Sequence, residues 1–371
     1  MATLRHRAAA SAAVTAASCL GQAGRVSPDA APAQHPLADL PCHDPWVIAV
    51  DGGYLLYVSF DGARWERSLP PGASSPAPNG TGVLAWWSPD LRAWSDPRVV
   101  FTVPGGCWAD PASAPWAPEV HRWGGRYVLA TTLHDPSTDL GPVRQRGTRV
   151  ALSGETAPLA PVRRGTVLAV ADDPRGPFEL LDPARAHNPD GFTALDGTLV
   201  AGDDGEPWLV YAHEWVQVLD GTVEAVPLHA DLSGASGPPV HLFRASEAPW
   251  YRELVPSAEA LAPYVTDGPQ VHRLPGGALA VLWASYRTSP DHPTGEYVQT
   301  QALSPSGSLA GPWEQGEVLV GGNAGHGMLL ATHEGDLVLV LHRGMNTPRV
   351  RAEVHGVQAG PTGLRTTGRL V

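Results

Sequence analysis

Five stretches of the chain share one alternation of apolar runs and polar turns: Val47 to Tyr57, Glu119 to Leu129, Thr198 to Tyr211, Gln270 to Trp283 and Met328 to Leu341. In each, a short apolar run meets a turn containing Gly beside polar or charged neighbours. A second run rich in Val, Leu, Tyr or Trp follows. That pattern predicts strand, tight turn, strand. Four copies continue into a further apolar run, a small polar turn and an aromatic or apolar residue that opens another strand: Leu84 to Trp94, Val167 to Phe178, Val226 to Ser233 and Ala302 to Trp313. Recurrence at long, fairly even spacing marks a repeat architecture. Four strands per unit is the blade of a β-propeller, so the expected fold is all-β, a five-bladed propeller in a single domain. The fifth unit reads as shorter, ending with Arg349 to Val354. The five units fill about residues 42 to 371.

Composition supports this. Gly 41 and Pro 38 punctuate the turns, and no long amphipathic helix pattern emerges. An apolar content of 43% suffices for a core within and between blades. The net charge of −12, without basic runs, argues against nucleic acid and anionic membrane as partners. No stretch is long and apolar enough for a membrane span.

Residues 1–36 differ from the rest. A basic start to Arg7, an Ala-rich stretch to Ala17 and then Ser18-Cys19 resemble a weak export signal, with Cys19 placed as a lipid-attachment cysteine would be. A linker follows from Gly24 to Pro36. The expectation is a secreted or cell-envelope protein, otherwise a cytoplasmic one, with residues 37–371 as the propeller. Cys42 and Cys107 read equally as a disulfide or as two buried thiols. No Cys/His spacing of the zinc type occurs.

A propeller gathers the starts of its innermost strands around a central channel. Asp44, Glu119, Asp196, Asp267 and His326 stand near those starts, an ionisable residue in each repeat. Converging carboxylates repel one another and raise some pKa values, so such a cluster is costly unless used. Paired carboxylates flanking a scissile bond are what glycoside hydrolysis requires. Thirteen Trp against five Phe suit stacking on sugar faces, although most should fill the wedges between blades. Trp46, Trp87, Trp215 and Trp250 are the aromatics expected nearest a sugar, with His326 beside them.

The ordered set His43-Asp44-Pro45-Trp46-Val47, Ser88-Pro89-Asp90-Leu91-Arg92-Ala93-Trp94, Trp116-Ala117-Pro118-Glu119-Val120, Gly176-Pro177-Phe178 and Gly325-His326-Gly327 resembles glycoside hydrolase family 43 over roughly residues 42 to 345. The resemblance implies an inverting enzyme that removes α-L-arabinofuranosyl or β-D-xylosyl units from plant polysaccharides. It implies a carbohydrate substrate and no required cofactor, with His326 on the axis beside water or a calcium ion. It assigns Asp44 as base and Asp196 as the residue tuning the acid; Asn188-Pro189-Asp190 is the rival to Asp196, and His187 to Phe192 reads as the loop entering the blade. Glu119 is expected to have a structural role.

The acid departs from the family pattern. Asp267-Gly268-Pro269 stands where the family has Glu-Gly-Pro, one methylene shorter. Tyr211-Ala212-His213-Glu214-Trp215 ends the second strand of blade three, which puts Glu214 on the same face as Asp196. Glu214 and Asp267 are therefore both candidates, the other one orienting sugar hydroxyls. A binding propeller without catalysis is the alternative, motivated by Asp267. A protein-interaction propeller ranks last, because the repeats are divergent and their ionisable residues lie at the channel end.

Overall fold

A computed structural model describes residues 35–62, 80–141, 160–218, 220–250, 264–289, 292–345, 347 and 349–371. The stretch read as an export signal, with Cys19, lies outside these residues.

The chain forms five four-stranded antiparallel sheets, each built from consecutive strands. Two short strands, β1 (His35–Pro36) and β5 (Ala93–Trp94), pair with one another outside the blades. Blade I contains β2 (Trp46–Val50), β3 (Gly53–Asp61), β4 (Thr81–Ser88) and β6 (Arg98–Phe101). Blade II contains β7 (Trp116–Trp123), β8 (Arg126–Asp139), β9 (Val162–Ala171) and β10 (Glu179–Leu180). Blade III contains β11 (Ala194–Ala201), β12 (Pro207–His213), β13 (Thr222–Pro227) and β14 (Val240–Arg244). Blade IV contains β15 (Asp267–Arg273), β16 (Leu279–Ser289), β17 (His292–Ser304) and β18 (Glu314–Gln315). Blade V contains β19 (Ala324–Ala331), β20 (Leu337–Arg343), β21 (Arg351–Gly360) and β22 (Gly363–Arg369). Helix among the described residues is confined to single turns, and none is long and apolar enough to cross a membrane.

Two expectations change. The fifth unit is a full blade: its outer strands hold Gly356, Gly360, Gly363 and Gly368 among polar residues, which masks the apolar alternation. Trp94 does not open the outer strand of blade I. It pairs through β5 with His35, and Arg98–Phe101 takes the outer position.

The apolar side chains fall into wedges between neighbouring blades. Blades II and III share one, III and IV another, and IV and V a third. The largest wedge joins blade I to both II and V, bringing Met328, Leu330, Val340 and Val354 against the Leu56 and Leu84 side of the ring. Burial of this kind is worth about 25 cal/mol per Å² and closes the ring without an exchanged strand. Polar contacts reinforce the seam. The Tyr54 hydroxyl accepts from the His333 N–H at 3.0 Å, and Cys42 N–H donates to Val350 O at 3.1 Å. Cys42 and Cys107 are both free thiols, Cys42 being buried.

Candidate active site

The innermost strands share a corner. Residues Asp44, Ala117, Asp196, Gly268 and His326 all have φ between +44° and +55°. In blades II to V a register shift in the pairing to the second strand brackets this residue. It is a β-bulge, which bends the strand and re-aims a side chain. The left-handed conformation costs an L residue about 1–2 kcal/mol, so five recurrences mark a requirement of the ring.

The corner corrects the register of the sequence reading. Asp44, Asp196 and His326 are equivalent, but the equivalents in blades II and IV are Ala117 and Gly268. Glu119 stands two residues later. It turns to His121 at 2.9 Å within its own strand. Asp267 stands one residue before its corner. The signal was present: in every blade the corner residue precedes Pro or Gly, as Asp44-Pro45, Ala117-Pro118, Asp196-Gly197, Gly268-Pro269 and His326-Gly327. Aligning on that second residue gives the observed register, whereas aligning on ionisable side chains does not.

The corners bring three carboxyls around one imidazole. His326 Nδ1 lies 3.2 Å from Asp44 Oδ1, 3.8 Å from Asp267 Oδ1 and 3.9 Å from Asp196 Oδ2. Asp196 Oδ2 accepts the Gly268 N–H at 3.1 Å, and Asp196 N–H donates to Thr132 Oγ1 at 2.8 Å. Asp267 Oδ2 accepts from the Tyr297 hydroxyl at 2.5 Å. Asp44 N–H donates to His342 Nδ1 at 3.1 Å. Gly268 is required twice: its φ is +49°, and a Cβ there would lie 2.7 Å from the His326 ring.

The electrostatics separate the carboxyls. Burial opposes ionisation of Asp44, but the adjacent imidazoles, His326 foremost, outweigh it and hold this carboxyl well below the usual range. Asp196 moves the other way. Burial, then the adjoining Asp267 charge and the proton the two carboxyls are close enough to share, push it well above the usual range. Glu214 is also raised, by burial, against the opposing pull of Arg164.

Glu214 directly follows β12 and pairs with Arg164, whose guanidinium lies 4.9 Å from the centre of the Trp116 ring. The helical turn Trp215–Val218 follows it. Gln217 locks this turn: its Oε1 accepts the Thr193 N–H at 2.7 Å and its Nε2 donates to Gly141 O and Gly191 O.

These groups open into a cavity of about 520 Å³. Asp44, Asp196, Glu214 and Asp267 all line it, with Trp116, Trp215 and Arg351 on its walls. Asp44 and Asp267 are 18% and 19% exposed, whereas Asp196 is 4% exposed, so the first two carboxyls face the space and the third supports from behind. Of the four Trp singled out in the sequence, only Trp215 lines this cavity. Trp46 bonds Val120 O between blades I and II, Trp87 packs on the blade I core, and Trp250 stacks on Trp283 between blades III and IV. Their indoles serve the wedges, as bulky aromatics in a propeller commonly do. Asp190 is exposed on its loop, away from these lining residues. The sequence reading missed Trp116, Arg164, Tyr297 and His342. His342 ends an apolar strand run and Tyr297 sits among Glu, Gln and Thr, and in neither strand does anything local mark the residue.

Among the described residues, two groups of donor atoms each lie within 4.8 Å of one another: His43, Asp44 and His342, and Asp196, Asp267 and His326. Calcium takes six to eight oxygen ligands, so either group would leave most of a calcium shell to water.

A cavity of this size, floored by carboxyls pushed to opposite protonation states, defines a hydrolytic site on a five-bladed propeller. The chain belongs to the glycosyl hydrolases family 43, whose family model matches residues 33–369, and it is thus a glycosidase acting on a carbohydrate substrate. The non-catalytic alternative is thereby set aside. Among solved structures, an endo-arabinase from Bacteroides thetaiotaomicron is 29% identical with a TM-score of 0.68, covering 88% of this chain and 97% of its own. An endo-1,4-beta-xylanase from the same organism is 16% identical with a TM-score of 0.63, covering 90% and 98%. An alpha-L-arabinofuranosidase from Lactobacillus brevis is 15% identical with a TM-score of 0.60, covering 89% and 94%. The latter two likenesses concern the fold. No curated protein matches the chain in sequence.

Proposed function

We propose that this glycosidase inverts the anomeric centre and removes α-L-arabinofuranosyl or β-D-xylosyl units from plant-type polysaccharide or oligosaccharide. The observation that carries the reading is the pair of carboxyls, Asp44 and Asp267, that face one cavity with the buried Asp196 behind them. The Asp44 carboxyl is held low, and the Asp196 carboxyl is pushed up by burial and by the adjoining Asp267 charge. Asp44 takes a proton from water as its oxygen bonds to the anomeric carbon. The glycosidic C–O bond breaks, and its oxygen receives the proton carried by Asp267. Asp196, behind it, keeps that proton available. The legs from His326 Nδ1 to Asp44 Oδ1 and Asp267 Oδ1 are 3.2 and 3.8 Å, so these two oxygens lie at most about 7 Å apart. That ceiling reaches only the lower edge of the about 6.5–9.5 Å of inverting enzymes and also admits the about 5 Å of retaining ones, so the inverting outcome rests on the family resemblance. Trp116 and Trp215 supply apolar walls for the sugar. The endo-arabinase likeness at 29% identity supports an arabinosyl unit, and the export signal read in residues 1–36 fits an extracellular polymer.

The second reading makes Glu214 the acid and Asp267 a holder of sugar hydroxyls. The upward shift of the Glu214 carboxyl favours it, and the Arg164 pair, which favours the ionised form, weighs against it.

The test is hydrolysis of p-nitrophenyl α-L-arabinofuranoside and β-D-xyloside by the protein and its Asp44→Asn variant. Release by the native chain that falls about 10²–10⁴-fold in the variant supports the base assignment. Proton NMR of the first-formed sugar should give the inverted anomer. Asp267→Asn should lose most on poor leaving groups. If Glu214→Gln shows that pattern instead, the second reading replaces the first.

A further inference from the structure

We propose that the stacked rings of Tyr297 and His342 form a spacer that sets the separation between base and acid. The inference rests on Asp44 and Asp267 having those roles. Tyr297 lies on β17 of blade IV and His342 on β20 of blade V. Their ring centres are 5.5 Å apart and their planes differ by 5°. Each ring holds one carboxyl-bearing residue. The Tyr297 hydroxyl donates to Asp267 Oδ2 at 2.5 Å, and His342 Nδ1 accepts the Asp44 N–H at 3.1 Å and lies 3.3 Å from Asp44 Oδ1.

Neither residue has accessible surface, and neither lines the cavity, so neither touches substrate. His342 Nε2 is buried without a hydrogen-bond partner. The ring is thus held by its stack and by Asp44, not by a polar anchor on its far side. The backbone end of Tyr297 is fixed, its N–H donating to Asn323 Oδ1 at 3.1 Å. Space for its ring comes from Gly325. A Cβ at that position would lie 2.5 Å from Tyr297 Cε1 and 2.7 Å from Cδ1. The backbone of Gly325 is not left-handed, so the position needs glycine for room alone. A shift of either ring moves one carboxyl relative to the other. A misplacement of about 1 Å at a reacting centre costs about 100-fold in rate.

The experiment compares two aryl glycosides of the responding sugar, p-nitrophenyl and the better leaving group 2,4-dinitrophenyl. Tyr297→Phe keeps the ring and removes the Asp267 bond. It should lower kcat about 100-fold on the first glycoside and far less on the second, with KM little changed. Gly325→Ala, which displaces the Tyr297 ring and keeps its hydroxyl, should reproduce that selective loss. His342→Phe keeps the stack and removes Nδ1, so it should lower kcat equally on both glycosides. Tyr297→Phe with unchanged kcat, or with equal loss on both glycosides, would overturn the spacer. Activity retained in Asp44→Asn would overturn the site reading beneath it, so the two failures are distinguishable.

Discussion

At the scale of the residue, the corner decides which side chains meet. Gly268 has to be left-handed and bare at once, so Gly268→Ala should cost about 1–3 kcal/mol of stability and displace His326. Thermal unfolding and the rate of aryl glycoside hydrolysis should both fall. Asp196 makes a prediction with a defined sign. Its pKa is raised on folding, so the stability it contributes is complete below the unfolded value of about 3.9 and is lost as pH rises through the folded value. Asp196→Asn should therefore gain stability relative to the native protein as pH rises above about 3.9, while hydrolysis falls. An unchanged Tm difference across that range would contradict the shared proton. Asp44, Asp196 and His326 were legible because each is an ionisable residue at a strand start, in a set of motifs that resembles the family. Glu119 was misplaced because its charge was read in place of its register. Tyr297 and His342 were not legible, because contacts across a blade boundary leave no local trace in a strand.

At the scale of the element, repeats one to four announced themselves through hairpins of Val, Leu and aromatic residues. The outer strands of blade V did not, since their Gly and Thr residues lack the apolar alternation that sequence reading relies on. Blade V is tied instead by charge. Glu353 receives Arg343 and Arg369, each at 2.7 Å, and His355 at 3.1 Å. Burial alone would raise its carboxyl, but these three partners outweigh it and hold the pKa at about 2. Its stabilising contribution is present above the unfolded value of about 4.3 and is lost as pH falls toward about 2. Glu353→Gln should lower Tm at pH 7 and flatten the acid side of the Tm–pH curve. In blade III, Gln217 joins three backbone groups around the turn that follows Glu214. Gln217→Leu leaves the buried Thr193 N–H unpaired, at a cost of about 1–3 kcal/mol, and removes two part-buried bonds beside it, which chemical denaturation would reveal.

At the scale of the whole molecule, the ring depends on its seam between blades V and I. Leu37 and Leu40 are each 2% exposed where the segment before blade I packs into the large wedge. Leu40→Ala should cost about 2–5 kcal/mol. Hydrogen exchange should then quicken first in β2 and β19, the innermost strands that meet there, before the wedge between blades III and IV opens. The corners have a wider consequence. One backbone shape recurs about the axis whether the side chain is carboxylate, imidazole, methyl or hydrogen, so the ring inherits its form separately from its reactivity. Asp44, Asp196 and His326 occupy three of the five corners, Ala117 keeps a fourth chemically silent, and Gly268 leaves the fifth bare for the His326 ring. New chemistry in such a molecule requires an exchange of side chains at an address that already exists, and the scaffold does not have to be rebuilt to receive it.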